Sequence, residues 1–133
     1  MATLGTSTIL NNGWLNTIKS TGTSYNVAGA ISVTLHTGNP GATGASYTST
    51  QGEKHAIVFL SSTQSVLTQS GTPTWTNWTG TNGEIVSHVA IWDTSGTGGN
   101  MLWSAQLSAP KTINTGDTFT LSSSSLTIAS ASN

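Results

Sequence analysis

Hydrophobic and polar positions alternate along much of this chain, most plainly between Glu84 and Trp92. Ile85, Ser87, Val89 and Ile91 fall on one side of a period of two, Val86, His88, Ala90 and Trp92 on the other. That period, carried by β-branched and aromatic side chains, predicts a strand. Met101–Gln106 predicts its partner. Between them, Asp93–Asn100 holds three glycines with Asp and Asn, residues that accept turn geometry. Strand, glycine-rich turn and strand make a β-hairpin. Both faces of its first limb carry large apolar groups, as in a strand inside a two-layer sandwich or at a subunit contact.

Other stretches repeat the theme. Ile31–His36 alternates, with Ile31, Val33 and Leu35 expected inward, and Thr37–Ser46 follows as a loop rich in glycine. A strand is expected within Gly52–Leu60, while Ser65–Leu67 is a short apolar patch of unassigned type. Asn114–Asp117 is a tight turn, Thr118–Leu121 a strand with Phe119 and Leu121 on one face, and Ser122–Ser125 a loop. Leu126–Ile128 is the last strand. Residues 1–20 break the period: Leu10, Trp14 and Ile18 recur every fourth position, and Ser7 or Thr8 is available as N-cap. Turn signals about ten residues apart predict a single mainly β domain over 1–133. Its expected architecture is an antiparallel β-sandwich, jelly-roll or immunoglobulin-like, with one short N-terminal helix. Residues 1–20 either close one end of that sandwich or dock, helical or extended, on a neighbour.

Composition changes the picture at the surface. Charged residues are 5% of the chain and the net charge is −1, where about a quarter charged is usual. Ser and Thr supply about a third of it. A free monomer with so little charge tends to be poorly soluble, so a surface laid largely against other protein is expected. Three basic residues without a cluster leave no electrostatic footprint for nucleic acid. The sequence holds no apolar run long enough for membrane insertion and no signal-peptide pattern. Without cysteine, thiolate chemistry and disulfides are excluded.

Catalysis finds little purchase. The acidic residues are Glu53, Glu84, Asp93 and Asp117. Glu84 and Asp93 end one predicted strand about 30 Å apart, too far for a glycosidase pair. Asp93 and Asp117 sit in turns, where Asp is expected for backbone reasons. His36, His55 and His88 lack metal-ligand spacing, and no nucleophile elbow or phosphate loop is present. Neither enzyme activity nor a metal or other cofactor is expected. The five tryptophans admit three readings: core, subunit-interface anchors, or, for Trp75 and Trp78 amid Thr and Asn, a sugar-stacking platform. The period of two places Trp75 and Trp78 on opposite faces of a strand.

Several pieces, in order, resemble a known family. They are Val33-Thr34-Leu35-His36-Thr37-Gly38-Asn39-Pro40-Gly41, then His88-Val89-Ala90-Ile91-Trp92-Asp93 with Gly98-Gly99-Asn100. Leu107–Ile113, Gly116–Phe119 and Leu126–Ile128 complete the pattern. Across Ile31–Ile128 the chain resembles small β-rich virion proteins of tailed bacteriophages, especially of actinobacterial hosts, labelled tail fibre-like, minor tail or capsid decoration proteins. Gly52–Ala56 departs from the family's usual aromatic–Ala–Arg run. The resemblance implies a virion structural protein, first of all a capsid decoration (cement) protein on the head exterior. Its expected partners are the major capsid protein and copies of itself as a symmetric trimer. Leu10, Trp14, Ile18, Trp92 and Trp103 are then the expected interface residues. The alternative is a tail-tip or fibre module that contacts tail proteins and binds host-surface glycan through Trp75 and Trp78.

Overall fold

The structure, a computed structural model, describes residues 5–19, 27, 29–62 and 65–127. Their order is Gly5–Thr6 (β1), Thr8–Lys19 (α1), Ser32–His36 (β2), His55–Ala56 (β3), Val58–Phe59 (β4), Val66–Ser70 (β5), Thr74–Trp75 (β6), Glu84–Trp92 (β7), Met101–Ile113 (β8), Phe119–Thr120 (β9) and Ser125–Thr127 (β10). Ile128, the end of the last expected strand, lies outside the described residues, as do residues 1–4 and 20 of the N-terminal segment.

All strand pairs are antiparallel. The main sheet runs β1-β8-β7-β2-β3, a second β10-β5-β4, and β6 pairs with β9. The predicted hairpin is its backbone: β7 lies between β8 and β2, in register Val33↔Ile91 and Ile91↔Trp103. The second limb reaches Ile113, well beyond the expected Gln106. It can because β8 bulges: Val86 faces Lys111 and His88 faces Gln106, leaving Leu107–Pro110 opposite Ser87 alone. A bulge bends the strand and re-aims its side chains. That overturns the strict period of two read for β7: Val86 and Val89 both bury, while Ile85 stays exposed.

The run His55–Leu60 turns the corner between sheets. The Ile57 N–H donates to Ile31 O at 3.0 Å on the main-sheet side, and the Leu60 N–H to Thr68 O at 2.8 Å on the other. The core between the sheets joins Val33, Leu35, Val89, Ile91 and Trp103 to Trp75 and Phe119, with Phe59, Leu67 and Leu126 packed against it. Antiparallel sheets enclosing one core, with a single helix among the described residues, are the mainly β sandwich the pattern predicts. Each fully buried side chain of Leu35's size stabilises such a core by about 1.5–3 kcal/mol.

The helix begins as its sequence dictates. Ser7 is the N-cap: its Oγ accepts the Leu10 N–H at 3.3 Å, and its carbonyl accepts from Asn11. The Ser7 N–H donates to Leu102 O at 2.7 Å, so the cap also fastens α1 to β8.

Candidate functional site

Loops at the Trp92 end of the hairpin converge on one indole. Trp92 closes β7, and the Lys54 ammonium sits 4.3 Å from its ring centroid. Lys54 Nζ also donates to Gly98 O at 2.5 Å, bracing the hairpin turn. Burial lowers the Lys54 pKa, and the nearby Asp93 carboxylate offsets part of that. Asp93 ties the turn shut by accepting from Asn100 N at 2.7 Å and Asn100 Nδ2 at 3.0 Å. Gly44 lies against the same indole: a Cβ there would stand 2.7 Å from Trp92 Cζ2, and its φ of +75° favours glycine as well.

Beneath these loops runs a buried polar chain. Trp92 Nε1–H donates to Thr34 Oγ1 at 2.8 Å, Thr34 Oγ1 lies 2.9 Å from His36 Nε2, and His36 Nδ1 lies 2.9 Å from Ser46 O. A carbonyl only accepts, so Nδ1 carries the proton and Nε2 receives the Thr34 hydroxyl. His36 is wholly buried. Its pKa is lowered, chiefly by burial, with the Ser46 bond opposing and His88 adding to the fall. His88 faces it across the β2–β7 ladder and bonds Ser87 Oγ at 2.7 Å.

The remaining ionisable groups are dispersed. Glu84 accepts Ser49 Oγ, Thr50 N and Thr50 Oγ1 at 2.8–3.0 Å, pinning the segment after β2 to the start of β7. Asp117 Oδ2 accepts the Asn114 N–H, closing the predicted turn. His55 packs tilted against Trp75, ring centroids 4.4 Å apart, and its Nε2 lies 3.3 Å from Glu53 Oε2. Among the described residues no three His, Asp or Glu side chains gather as metal ligands do.

The expected interface residues separate into three groups. Leu10 and Trp103 are core, Trp103 tilted against Phe59 at 5.3 Å, so neither offers a free surface. Trp14 is half-buried against the core, and Trp92 is half-buried under Lys54. Ile18 is 80% exposed and stands beyond the reach of the sandwich. The sugar platform is overturned. Trp75 and Trp78 are both fully buried and offer no face for stacking. The expectation of opposite faces fails because the strand stops at Trp75 and Asn77 takes a φ of 52°, turning the chain. Trp78 is then held inward by N–H donation to Asp117 O at 2.8 Å and acceptance from Gly116 N at 2.9 Å.

What the pattern did not single out is the outward side of His55–Leu60. Ala56, Val58 and Leu60 alternate outward there, Val58 63% and Leu60 56% exposed. Beside them an apolar groove of about 400 Å³ is lined by Ala30, Ile31, Phe59 and Leu67. The signal lay in the sequence as an unbroken apolar run, Ala56–Leu60, which a strand washed on one face does not need. Tyr47 is also exposed, at a φ of 51°, with its ring lying over Gly38.

Neither a cleft with paired acid and base nor a metal cage emerges from these residues, whereas outward apolar groups on a neutral sandwich do. No curated protein matches the chain. A family profile described as Podophage GP4 fiber I protein gp80 matches residues 5–129, nearly the whole sequence. It agrees with the resemblance read from the strand and loop segments at the level of the phage particle. The chain belongs to the Podophage GP4 fiber I protein gp80 family, a family of phage virion structural proteins.

Proposed function

We propose that the chain is a subunit of a phage fibre, built into the particle by protein–protein contact and without enzymatic activity. The family match over 5–129 carries this reading, since the family's description is of a fibre protein. The surface supports it: a chain 5% charged that leaves Val58, Leu60, Ile85, Leu15 and Ile18 exposed suits contact with other protein. Copies of itself and a neighbouring tail protein are the proposed partners, with repeated modest contacts adding through multivalency. With Trp75 and Trp78 in the core, sugar binding through that pair forms no part of the proposal.

Gold-labelled antibody on intact virions, with copy number from quantitative gels, tests it. Label at the fibres and a copy number far below that of the shell protein are expected. Label spread over the head at a number comparable to the shell protein would replace the fibre reading with capsid decoration.

A further inference from the structure

Two contacts tie the Thr37–Ser46 loop to β2 and β7, and one hydroxyl joins them. At one end His36 Nδ1–H reaches the Ser46 carbonyl. At the other the Trp92 indole supports Gly44, so closely that no Cβ fits between them. Thr34 Oγ1 connects the two by accepting from Trp92 and donating to His36 Nε2. The direction of every bond is fixed, because an indole only donates and a carbonyl only accepts. The chain of bonds is therefore complete only while His36 Nε2 has a free lone pair.

We propose that His36 is a pH-sensitive clasp on the Thr37–Ser46 loop, closed when the imidazole is neutral and opened when Nε2 takes a proton. A proton on Nε2 confronts the Thr34 hydroxyl with two donors and leaves its own hydrogen without the acceptor it had. The new charge lies in a wholly buried position, where an unneutralised ion is costly. No carboxylate compensates. The ionisable group facing His36 is His88 from β7, of the same sign when protonated. Glu84, farther along β7, is engaged by Ser49 and Thr50. Lys54 lies over the Trp92 ring, and Asp93 acts on Lys54 and ties the hairpin turn to Asn100. The loop's own bonds include Thr37 N–H and Oγ1–H to Tyr47 O, Gly44 N–H to Gly41 O, Ser46 N–H to Pro40 O and Gly41 N–H to Asn39 Oδ1, and these run between residues 37 and 47 without reaching the ladder. The loop is thus the element that yields, while the β2–β7–β8 ladder has its own hydrogen bonds.

The sign follows from the lowered affinity of His36 for a proton in the closed form. The open form titrates near the ordinary histidine value of about 6.5. The clasp is at full strength above that pH and weakens as pH falls below it, until the closed form too is protonated. Uptake of one proton limits the change to about tenfold per pH unit.

Hydrogen exchange on the intact chain at pH 7.5, 6 and 5, corrected for intrinsic rates, tests the clasp. The amides of Thr37, Gly44 and Ser46 are expected to lose protection several-fold between pH 6 and 5, with those of Val89 and Ile91 unchanged. In His36→Asn, whose amide replaces Nδ1 as donor to Ser46, the loop's protection should no longer depend on pH. His88→Gln, which removes the facing cation, should make the acid loss smaller. Nitrogen NMR of the histidine rings should find the Nδ1–H tautomer at His36, a readout that survives if His36→Asn fails to fold. Loop protection independent of pH in the wild type, acid loss persisting in His36→Asn, parallel loss throughout β7, or an Nε2–H tautomer would each overturn the proposal.

Discussion

Two strand regions exchange the roles that their side chains advertise. Ser32–His36 alternates polar and apolar residues and is buried at all five positions. Ala56–Leu60 is apolar throughout and buries only Ile57 completely. The difference lies in what each can bond to. The polar positions of β2 have partners: Ser32 Oγ reaches Thr94 O at 2.5 Å, and Thr34 and His36 join Trp92 to Ser46. A buried polar group so satisfied costs little, and one left unpaired costs the full loss of hydration. The outward positions of the other run have no polar obligation and find no cover among the described residues. A strand's chemistry thus reports what it can be packed against, and only the assembly decides whether the packing takes place within the chain.

The inward side of β2 gives the largest effect. Leu35 is completely buried at the centre of the core, so Leu35→Ala is expected to lower unfolding free energy by about 2–5 kcal/mol. Urea denaturation measures it; a loss under 1 kcal/mol would mean that the core can collapse around the gap. The polar side of β2 gives the next. Thr34→Val conserves shape but strands the Trp92 N–H and removes the hydroxyl that donates to His36 Nε2, for an expected loss of about 1–3 kcal/mol. Thr34→Ser, which restores the hydroxyl, should recover most of it. Equal stability of the Val and Ser variants would show that the bonds, though present, are not what makes burial of β2's polar face tolerable.

The sequence displayed the hairpin, the capped helix and, within the strand expected over Thr118–Leu121, the observed Phe119–Thr120, because each is governed by local signals: period, cap and turn residues. It did not display the fate of Trp75 and Trp78, since that depended on a single positive φ at Asn77 and on bonds to Gly116 and Asp117 some forty residues away. Nor did it display the bulge in β8, since the expected strand ended at Gln106, just before Leu107–Pro110. The clasp was hidden for the same reason. Thr34 and His36 look like the outward half of an alternating strand until β7 brings Trp92 to one and the loop brings Ser46 to the other. The apolar run at Ala56–Leu60 was visible, but a period of two cannot state which face the chain itself will cover.

The outward side of that run gives the smallest effect on folding and the sharpest test of the comparison. Val58 and Leu60 are more than half exposed, so Val58→Ser with Leu60→Ser removes little buried area and is expected to change unfolding free energy by no more than about 0.5 kcal/mol per site. Their proposed use is contact between chains, where loss of two apolar anchors weakens association even when each contributes modestly. Light scattering across a concentration series should show wild type moving toward larger species while the double variant remains behind, its urea midpoint unchanged. Leu10→Ser, at a core position of α1, supplies the contrast by losing stability first. Identical association of wild type and double variant would return Val58 and Leu60 to the class of scattered surface apolar residues that call for no partner. It would move the search for the contact surface to Ile9, Leu15 and Ile18, exposed apolar residues of α1.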